Sequence, residues 1–269
     1  MRPEAERNTP YVLPRERIAA WLPSQLYEIR IDPDDEKRII ELKQLLATQG
    51  TKNNLIIYFN HIAYDDPVFA LYVARLVDPN NRRTLVLPGS KWHTKWKNNR
   101  KFAASAELGK LLYGIAIPPI VQSYMIDEWE KWGYKSKDDA KVDASRSYKK
   151  LLRKITSLRA KKRPLTLLIS PEGHRSETGA LGGTKGNIEP GMITMGKILA
   201  PVIFCPLGIE YPDGFVRDLN VRPFVYRPHV RLTMGELTFQ SERQTKVPLD
   251  TLIRNLARIL PAHMRGPWG

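Results

Sequence analysis

Short apolar runs alternate along this chain with segments of helical periodicity, and this alternation is the strongest limit on its fold. The runs predicted as strands are residues 55–59, 84–88, 115–118, 165–170, 202–210 and 229–234. The segments predicted as helices are residues 35–48, 66–76, 97–112, 143–160, 191–199 and 248–263. Strands separated by helices pair in parallel, and the helices then cover both faces of the sheet. We therefore predict an α/β fold with a mostly parallel central sheet flanked by helices.

Length and composition indicate how this fold is divided along the chain. The 269 residues are 42% hydrophobic and 26% charged, which is ordinary for a globular protein. Residues 1–34 are rich in proline and charge, and Gly50 ends the first predicted helix. We predict an N-terminal extension with one helix over residues 1–50 and a single domain over residues 51–269.

Two polar segments follow predicted strands at the point where each strand ends. Residues 60–66 follow the strand at 55–59, and residues 171–176 follow the strand at 165–170. In open α/β sheets, ligands bind outside the carboxyl ends of the strands. We therefore expect the active site at this edge of the sheet, with both segments converging on it.

The first of these segments contains His61 and Asp66, residue types suited to general base catalysis. A neutral imidazole can remove a hydroxyl proton near neutral pH, and a carboxylate on its other nitrogen holds the required tautomer. A turn from strand to helix can bring the two side chains together. From these residues alone, a capping histidine beside helix-capping aspartates is the simpler interpretation, because such short motifs often match by chance.

The second segment, Pro-Glu-Gly-His-Arg-Ser, combines a tight turn with a cation. Gly173 lets backbone N–H groups approach a ligand closely, and Arg175 can bind a phosphate through two parallel N–H donors. Glu172 is predicted either to orient a hydroxyl or to anchor the loop. The alternative is an ordinary surface turn with a solvated glutamate and arginine.

Together these segments resemble the glycerolipid acyltransferase family, which includes the 1-acylglycerol-3-phosphate acyltransferases. The family's Asn-His motif, followed by four residues and Asp, is matched by Asn60, His61 and Asp66. Its Pro-Glu-Gly-Thr-Arg-Ser motif is similar to residues 171–176, and its glycine-containing helix and following strand are similar to residues 191–209. The resemblance covers roughly residues 50 to 210, and three motifs in the family's order are more specific than any one of them.

The resemblance implies a role for each matched residue. His61 would be the general base, oriented by Asp66, while Glu172, Gly173 and Arg175 would bind substrate.

The sequence also departs from the family pattern. His174 replaces the motif's threonine, and residues 114–123 lack the arginine with which the family binds acceptor phosphate. Gln122 lies about where that arginine is expected, so Arg175 or Lys185 is the candidate to replace it. A third departure is the segment 182–189, which is longer than the family pattern leads us to expect before the helix at Gly191.

The reaction implied by the resemblance is transfer of a fatty acyl group in phospholipid biosynthesis. The donor would be acyl-CoA or acyl-carrier protein, and the acceptor a glycerol-phosphate-type hydroxyl, with 1-acylglycerol-3-phosphate the first candidate. No acyl-enzyme is implied, and the single cysteine, Cys205, has the apolar neighbours of a buried structural thiol. No tightly bound cofactor is expected, and the scattered histidines lack the spacing of metal ligands.

A formal net charge of +15 favours an acidic partner. The cations concentrate in residues 82–101, which include Trp92 and Trp96, and in residues 135–163. We expect these stretches to dock on an anionic membrane surface, with acyl-carrier protein as a further possible partner.

The chain shows no signal peptide and no apolar run of about 20 residues, the length that spans a bilayer. This predicts a cytoplasmic protein that associates with the membrane peripherally. Two alternatives stay open. Charge alone would suit a nucleic-acid-binding protein, although no recognisable motif of that class is present. The chain could also be a catalytically inactive, lipid-binding member of the same fold.

Overall fold

The apolar runs of the sequence become strands of one sheet, and the periodic segments become helices on its two faces. The computed structural model describes residues 21, 23–48, 53–63, 65–78, 83–86, 120–160, 164–173, 175–176, 178–183, 188–213, 227–243 and 247–269. The strands are β1 (Glu28–Ile31), β2 (Asn54–Phe59), β3 (Arg83–Val86), β4 (Leu165–Ile169), β5 (Val202–Glu210), β6 (His229–Met234) and β7 (Thr238–Gln240). The helices are α1 (Pro33–Thr48), α2 (Asp66–Val77), α3 (Ser123–Asp127), α4 (Lys137–Ala160), α5 (Gly191–Leu199) and α6 (Leu249–Ile259).

Within the described residues, seven strands form a single sheet in the order β1-β6-β5-β2-β4-β3, and β7 also pairs with β5. The four pairings β1–β6, β2–β4, β2–β5 and β3–β4 are parallel. Strand β5 pairs antiparallel with β6 and with β7. The prediction of an α/β fold with a mostly parallel sheet is confirmed.

The central strands β2, β4 and β5 are buried on both faces because helices cover each side of the sheet there. All six residues of β2 are buried, as expected for a central parallel strand. Its side chains alternate: Ile56 and Tyr58 join a core with α4, α5 and α6, whereas Leu55, Ile57 and Phe59 join a core with α1 and α2. This arrangement leaves the ends of the strands as the place for polar chemistry.

The first 50 residues contribute more to the sheet than the sequence predicted. Helix α1 lies where a helix was expected, and its Leu42 and Leu46 are buried. Residues 28–31, predicted as part of an irregular extension, instead form β1 at the edge of the sheet, parallel to β6. A strand of four residues that is only half-buried carries too short an alternation to be recognised from sequence.

A further α-helix and a further strand went unpredicted, and two predicted elements cannot be compared with the structure. The short helix α3 and the short strand β7 were missed for the same reason of length. The helix predicted at 97–112 and the strand predicted at 115–118 lie outside the described residues, as do Trp92 and Trp96. Among the helices that the structure describes, none is long and apolar enough to cross a bilayer.

Helix α5 packs closely against β5 at Gly196. A Cβ placed at this residue would lie 2.4 Å from Cζ of Phe204, which is fully buried. At Gly191, on the same helix, a Cβ would meet no atom within 4 Å. The two glycines therefore provide a matched test of this packing.

We expect Gly196→Ala to lower the free energy of unfolding by about 1–3 kcal/mol, because the added methyl overpacks the core around Phe204. Gly191→Ala should leave it unchanged or slightly raised, since alanine favours a helix more than glycine does. Chemical denaturation of the two variants measures both effects. Equal stability of the two variants would contradict the close contact.

Candidate active site at the carboxyl edge of the sheet

The candidate site lies where three neighbouring parallel strands end. His61 follows β2, Glu172 follows β4 and Tyr211 follows β5, and β2 lies between the other two strands. The backbone N–H of His61 donates to Glu172 Oε2 at 2.6 Å, and the carbonyl of His61 accepts from the N–H of Ser176 at 2.6 Å. The two segments thus converge as the strand ends predicted.

His61 and Asp66 form the pair expected from their spacing. His61 Nδ1 lies 3.0 Å from Asp66 Oδ2, and the imidazole is 20% exposed, whereas the carboxylate is fully buried. Asp66 is the first residue of α2, where the helix dipole favours negative charge. With Nδ1–H donating to the carboxylate, Nε2 carries the lone pair that can accept a proton. The histidine is therefore oriented by a buried acid and remains accessible to a substrate.

The turn between β2 and α2 closes around the same carboxylate. The backbone N–H groups of Ile62 and Ala63 donate to Asp66 Oδ2 at 2.6 and 2.7 Å. The preceding residue, Asn60, holds β2 against β5: its amide donates to the carbonyl of Ile209 at 2.9 Å and accepts from the N–H of Ile209 at 2.8 Å. The Asn-His motif therefore fixes both the strand end and the turn.

Tyr211 completes the surroundings of Asp66 and was not predicted from the sequence. Its hydroxyl donates to Asp66 Oδ1 at 2.7 Å. Burial, together with the adjacent Asp66 carboxylate, raises the pKa of Tyr211 well above its ordinary value, so the hydroxyl stays protonated as a donor. The signal was present, because Tyr211 directly follows β5. Strand β5 runs parallel to β2 and ends at the same edge of the sheet, where ligand sites are expected.

A second acid and phenol lie beside this pair. The hydroxyl of Tyr27 donates to Asp65 Oδ2, and the Tyr27 ring packs edge-on against Phe69. Burial raises the pKa of Asp65, and the hydrogen bond from Tyr27 opposes that increase. Tyr27 lies in the segment predicted as an extension, so this contact could not be foreseen from sequence.

Glu172 is an anchor of the loop. The residue is 2% exposed, Oε2 accepts from the N–H of His61, and Oε1 accepts from the N–H of Gly182 at 3.0 Å. Of the two roles predicted for this residue, orienting a hydroxyl or anchoring the loop, the hydrogen bonds correspond to the second. Burial raises the pKa of Glu172 to about 8, although both backbone hydrogen bonds oppose the increase.

Gly173 provides the turn that presents this loop. Its φ of +69° lies in the left-handed region, and its N–H donates to the carbonyl of Ser170 at 3.2 Å. That N–H therefore serves the turn. A Cβ at this position would lie 2.9 Å from Glu189 Cγ and 3.3 Å from Gln122 Nε2, so only glycine fits here. Gln122, the residue near the expected position of the family's arginine, thus lies directly against the loop.

Of the remaining predicted site residues, the structure describes Arg175 but not Lys185. Arg175 is half-buried and precedes Ser176, which binds the carbonyl of His61. Lys185 lies outside the described residues, and so does His174. Cys205 is fully buried in β5, and burial raises its pKa to about 12, so the predicted structural thiol is confirmed as buried. In the described ranges no group of three or more His, Cys, Asp or Glu could hold a metal ion.

Chemically, this arrangement is suited to removing a proton from a neutral hydroxyl beside a rigid loop. An imidazolium formed at His61 would be stabilised by the Asp66 carboxylate, whose position is fixed by backbone and tyrosine donors. Comparisons with protein-family models, with curated proteins and with solved structures found no match to this chain.

The first prediction from this geometry concerns pH and Glu172. Because the pKa of the Glu172 carboxyl is raised on folding, the folded protein binds the proton of this carboxyl more tightly than the unfolded chain does. The stability that this adds is fully present below pH 4.5 and is lost as pH rises through about 8. We expect Glu172→Gln to be less stable, because its amide NH₂ faces a backbone N–H, and to lose this part of the pH dependence. Urea denaturation between pH 5 and 8 measures both effects. A Glu41→Gln variant on the exposed face of α1 is the control. If the free energy of unfolding of Glu172→Gln changed with pH as much as that of the wild type, Glu172 would not be the source of this pH dependence.

The second prediction concerns the phenol of Tyr211. Tyr211→Phe leaves one oxygen of a buried carboxylate without its hydroxyl donor, which should lower the free energy of unfolding by about 1–3 kcal/mol. Tyr72 lies on α2 and is half-buried. No hydrogen bond from its hydroxyl is seen to any described residue, so Tyr72→Phe should change stability by less than about 0.5 kcal/mol. Thermal and chemical denaturation of both variants test the difference, and equal effects would show that the Tyr211 hydroxyl contributes nothing.

Proposed function

We propose that this protein is an acyltransferase that moves a fatty acyl group from a thioester to a hydroxyl of a glycerol-phosphate-type lipid. The observation that carries the proposal is the His61–Asp66 pair at the carboxyl edge of the sheet, 3.0 Å apart, with the acid fully buried and the imidazole accessible. The order of the three motifs in the sequence supports the same class of reaction. An inactive, lipid-binding role is less well supported, because it would not require this pair.

In the proposed reaction, the acceptor hydroxyl oxygen attacks the thioester carbonyl carbon while Nε2 of His61 takes the hydroxyl proton. A tetrahedral intermediate forms with negative charge on the former carbonyl oxygen. When it collapses, the carbon–sulfur bond breaks and the imidazolium returns the proton to the thiol that leaves. Asp66 stabilises the imidazolium throughout and is not itself protonated. The products are an ester and a free thiol, and no acyl-enzyme is needed.

The acceptor most consistent with the proposal is a lysophospholipid such as 1-acylglycerol-3-phosphate. Arg175, half-buried and next to the residue that binds the His61 carbonyl, is our candidate for holding its phosphate. A guanidinium can bind a phosphate through two parallel hydrogen bonds, which also fixes the orientation of the acceptor. Glu172 and Gly173 contribute indirectly, because they hold this loop against the turn of His61.

The acyl donor would be acyl-CoA or acyl-carrier protein, each of which presents its acyl group as a thioester. The mechanism requires no tightly bound cofactor and no metal, because proton transfer and charge stabilisation are assigned to side chains. An acceptor and a product of this kind reside in a bilayer, so we also propose that the protein associates with membranes peripherally.

The test is acyl transfer from labelled acyl-CoA and acyl-carrier protein to a panel of lysophospholipids dispersed in detergent. We expect His61→Ala to keep the fold and to lose at least ~10²-fold in turnover, the usual scale for removing a general base. Asp66→Asn should also lose most activity, because the amide cannot orient and stabilise the imidazolium in the same way.

His263→Ala provides the matched control, since this histidine is exposed in the C-terminal turn after α6. Its turnover should equal that of the wild type. Near-normal turnover in a folded His61→Ala variant would refute the mechanism, and a wild type that transfers no acyl group to any acceptor would refute the proposed function.

A further inference from the structure

Helix α4 has two faces of opposite character. One face packs on the sheet through the buried side chains of Leu151, Ile155 and Leu158. The opposite face is exposed and carries five cations: Arg146, Lys149, Lys150, Arg153 and Lys154. We call these five residues the basic stripe. Their spacing of three or four residues places them along one side of the helix.

The basic stripe carries no compensating acid. Residues 145–154 contain five cations and no Asp or Glu. The ion pairs of α4 lie in its first turns, where Lys137 contacts Asp127 and Lys141 contacts Asp138. In the part of the chain that the structure describes, no ion pair involves any residue of the basic stripe. Five unneutralised charges on one face favour binding to a polyanion.

The surface around the basic stripe is concave and partly apolar. Val142, Ser145, Arg146, Lys149, Lys150 and Arg153 line an open groove of about 350 Å³. Val142 is 56% exposed and adds an aliphatic side chain to this face. From Val142 to Lys154 the helix advances about 18 Å. Such a face can contact several headgroups at once and can place one aliphatic side chain among them.

The basic stripe begins close to the candidate site. The hydroxyl of Ser147, on α4, accepts from the N–H of Val121 at 3.3 Å. The next residue, Gln122, lies against Gly173 in the loop that Glu172 ties to His61. The amino-terminal half of α4 therefore adjoins the carboxyl edge of the sheet. Arg146, at the start of the basic stripe, lies in this half of the helix.

We infer that the basic stripe of α4 is the surface by which this protein docks on an anionic lipid bilayer, with the carboxyl edge of the sheet next to that bilayer. The choice of a bilayer over another polyanion rests on the proposed function, because a lipid acceptor must enter the site from a membrane. The exposed Val142 favours the same partner, since an aliphatic side chain gains from the headgroup boundary and gains nothing from a phosphodiester backbone.

The test is cosedimentation of the full chain with vesicles of phosphatidylcholine alone or with added phosphatidylglycerol, in the absence of any acyl donor. We expect binding to the anionic vesicles, weak binding to the neutral vesicles, and release at 1 M salt, where the Debye length falls to about 3 Å. The variant K149Q/K150Q/R153Q/K154Q should partition onto anionic vesicles at least ~10²-fold less than the wild type.

The matched control is K43Q/K197Q/R243Q/R258Q, which removes the same charge from exposed positions on other elements. It should lose much less binding than the stripe variant, and circular dichroism should show that both variants are folded. Equal losses of vesicle binding in the two variants would show that only net charge matters, and would overturn the basic stripe as the docking surface. Binding of the wild type to acyl-carrier protein or to a DNA duplex, without binding to anionic vesicles, would overturn it as well.

Different experimental results would contradict the basic stripe as a docking surface and the proposed acyltransferase function. Vesicle binding is measured without turnover, so a wild type that binds anionic vesicles but transfers no acyl group contradicts the function alone. Acyl transfer to a detergent-dispersed acceptor, combined with no vesicle binding, contradicts the docking face alone.

Discussion

The buried carboxylate of Asp66 is the interaction on which the carboxyl edge of this sheet depends. A charge without access to water costs several kcal/mol unless donors surround it, so each donor must be held in place. Two come from the backbone at Ile62 and Ala63, one from the His61 ring and one from the Tyr211 hydroxyl. Together they fix the turn after β2, the orientation of the imidazole and the end of β5.

Glu172 connects the second loop to this arrangement by the same physical means. It accepts one backbone hydrogen bond from the turn of His61 and one from Gly182, so the loops after β2 and β4 are held by one side chain. The environments of the two acids nevertheless differ. Asp66 accepts from a ring, a phenol and two backbone N–H groups, whereas Glu172 accepts backbone hydrogen bonds from His61 and Gly182, and burial raises the pKa of Glu172 to about 8. Similar carboxyl groups thus serve as a charge partner and as a structural tie.

Helix α4, which carries the basic stripe, and strand β2, which leads to the site, pack into the same hydrophobic core. Helix α4 buries Leu151 and Ile155 in the core that also holds Tyr58 of β2. Its solvent face therefore has a fixed orientation relative to the strand ends. A periodic helix with apolar residues on one side must present the remaining side outward.

Much of the fold could be predicted because strong apolar periodicity reports burial directly. The central strands β2, β4 and β5 and the helices α1, α2, α5 and α6 lie close to their predicted positions. Helix α4 was also predicted, but it begins at Lys137, six residues before the predicted start, because its first turns are polar. Short elements with few buried residues, such as β1 and α3, give no comparable signal.

Sequence alone placed His61 and Asp66 at either end of one short turn, because only a few residues connect the strand to the following helix. It also placed the Glu172 loop at the same edge of the sheet, because parallel strands end at one edge. The sequence also predicted a helix close to the position of α4, within a stretch rich in cations. Only the tertiary structure decided that Glu172 is a buried anchor, that Tyr211 donates to Asp66 and that Gln122 lies against Gly173. These contacts join residues 51 to 145 positions apart, and their geometry depends on strand order and packing, which no local pattern encodes.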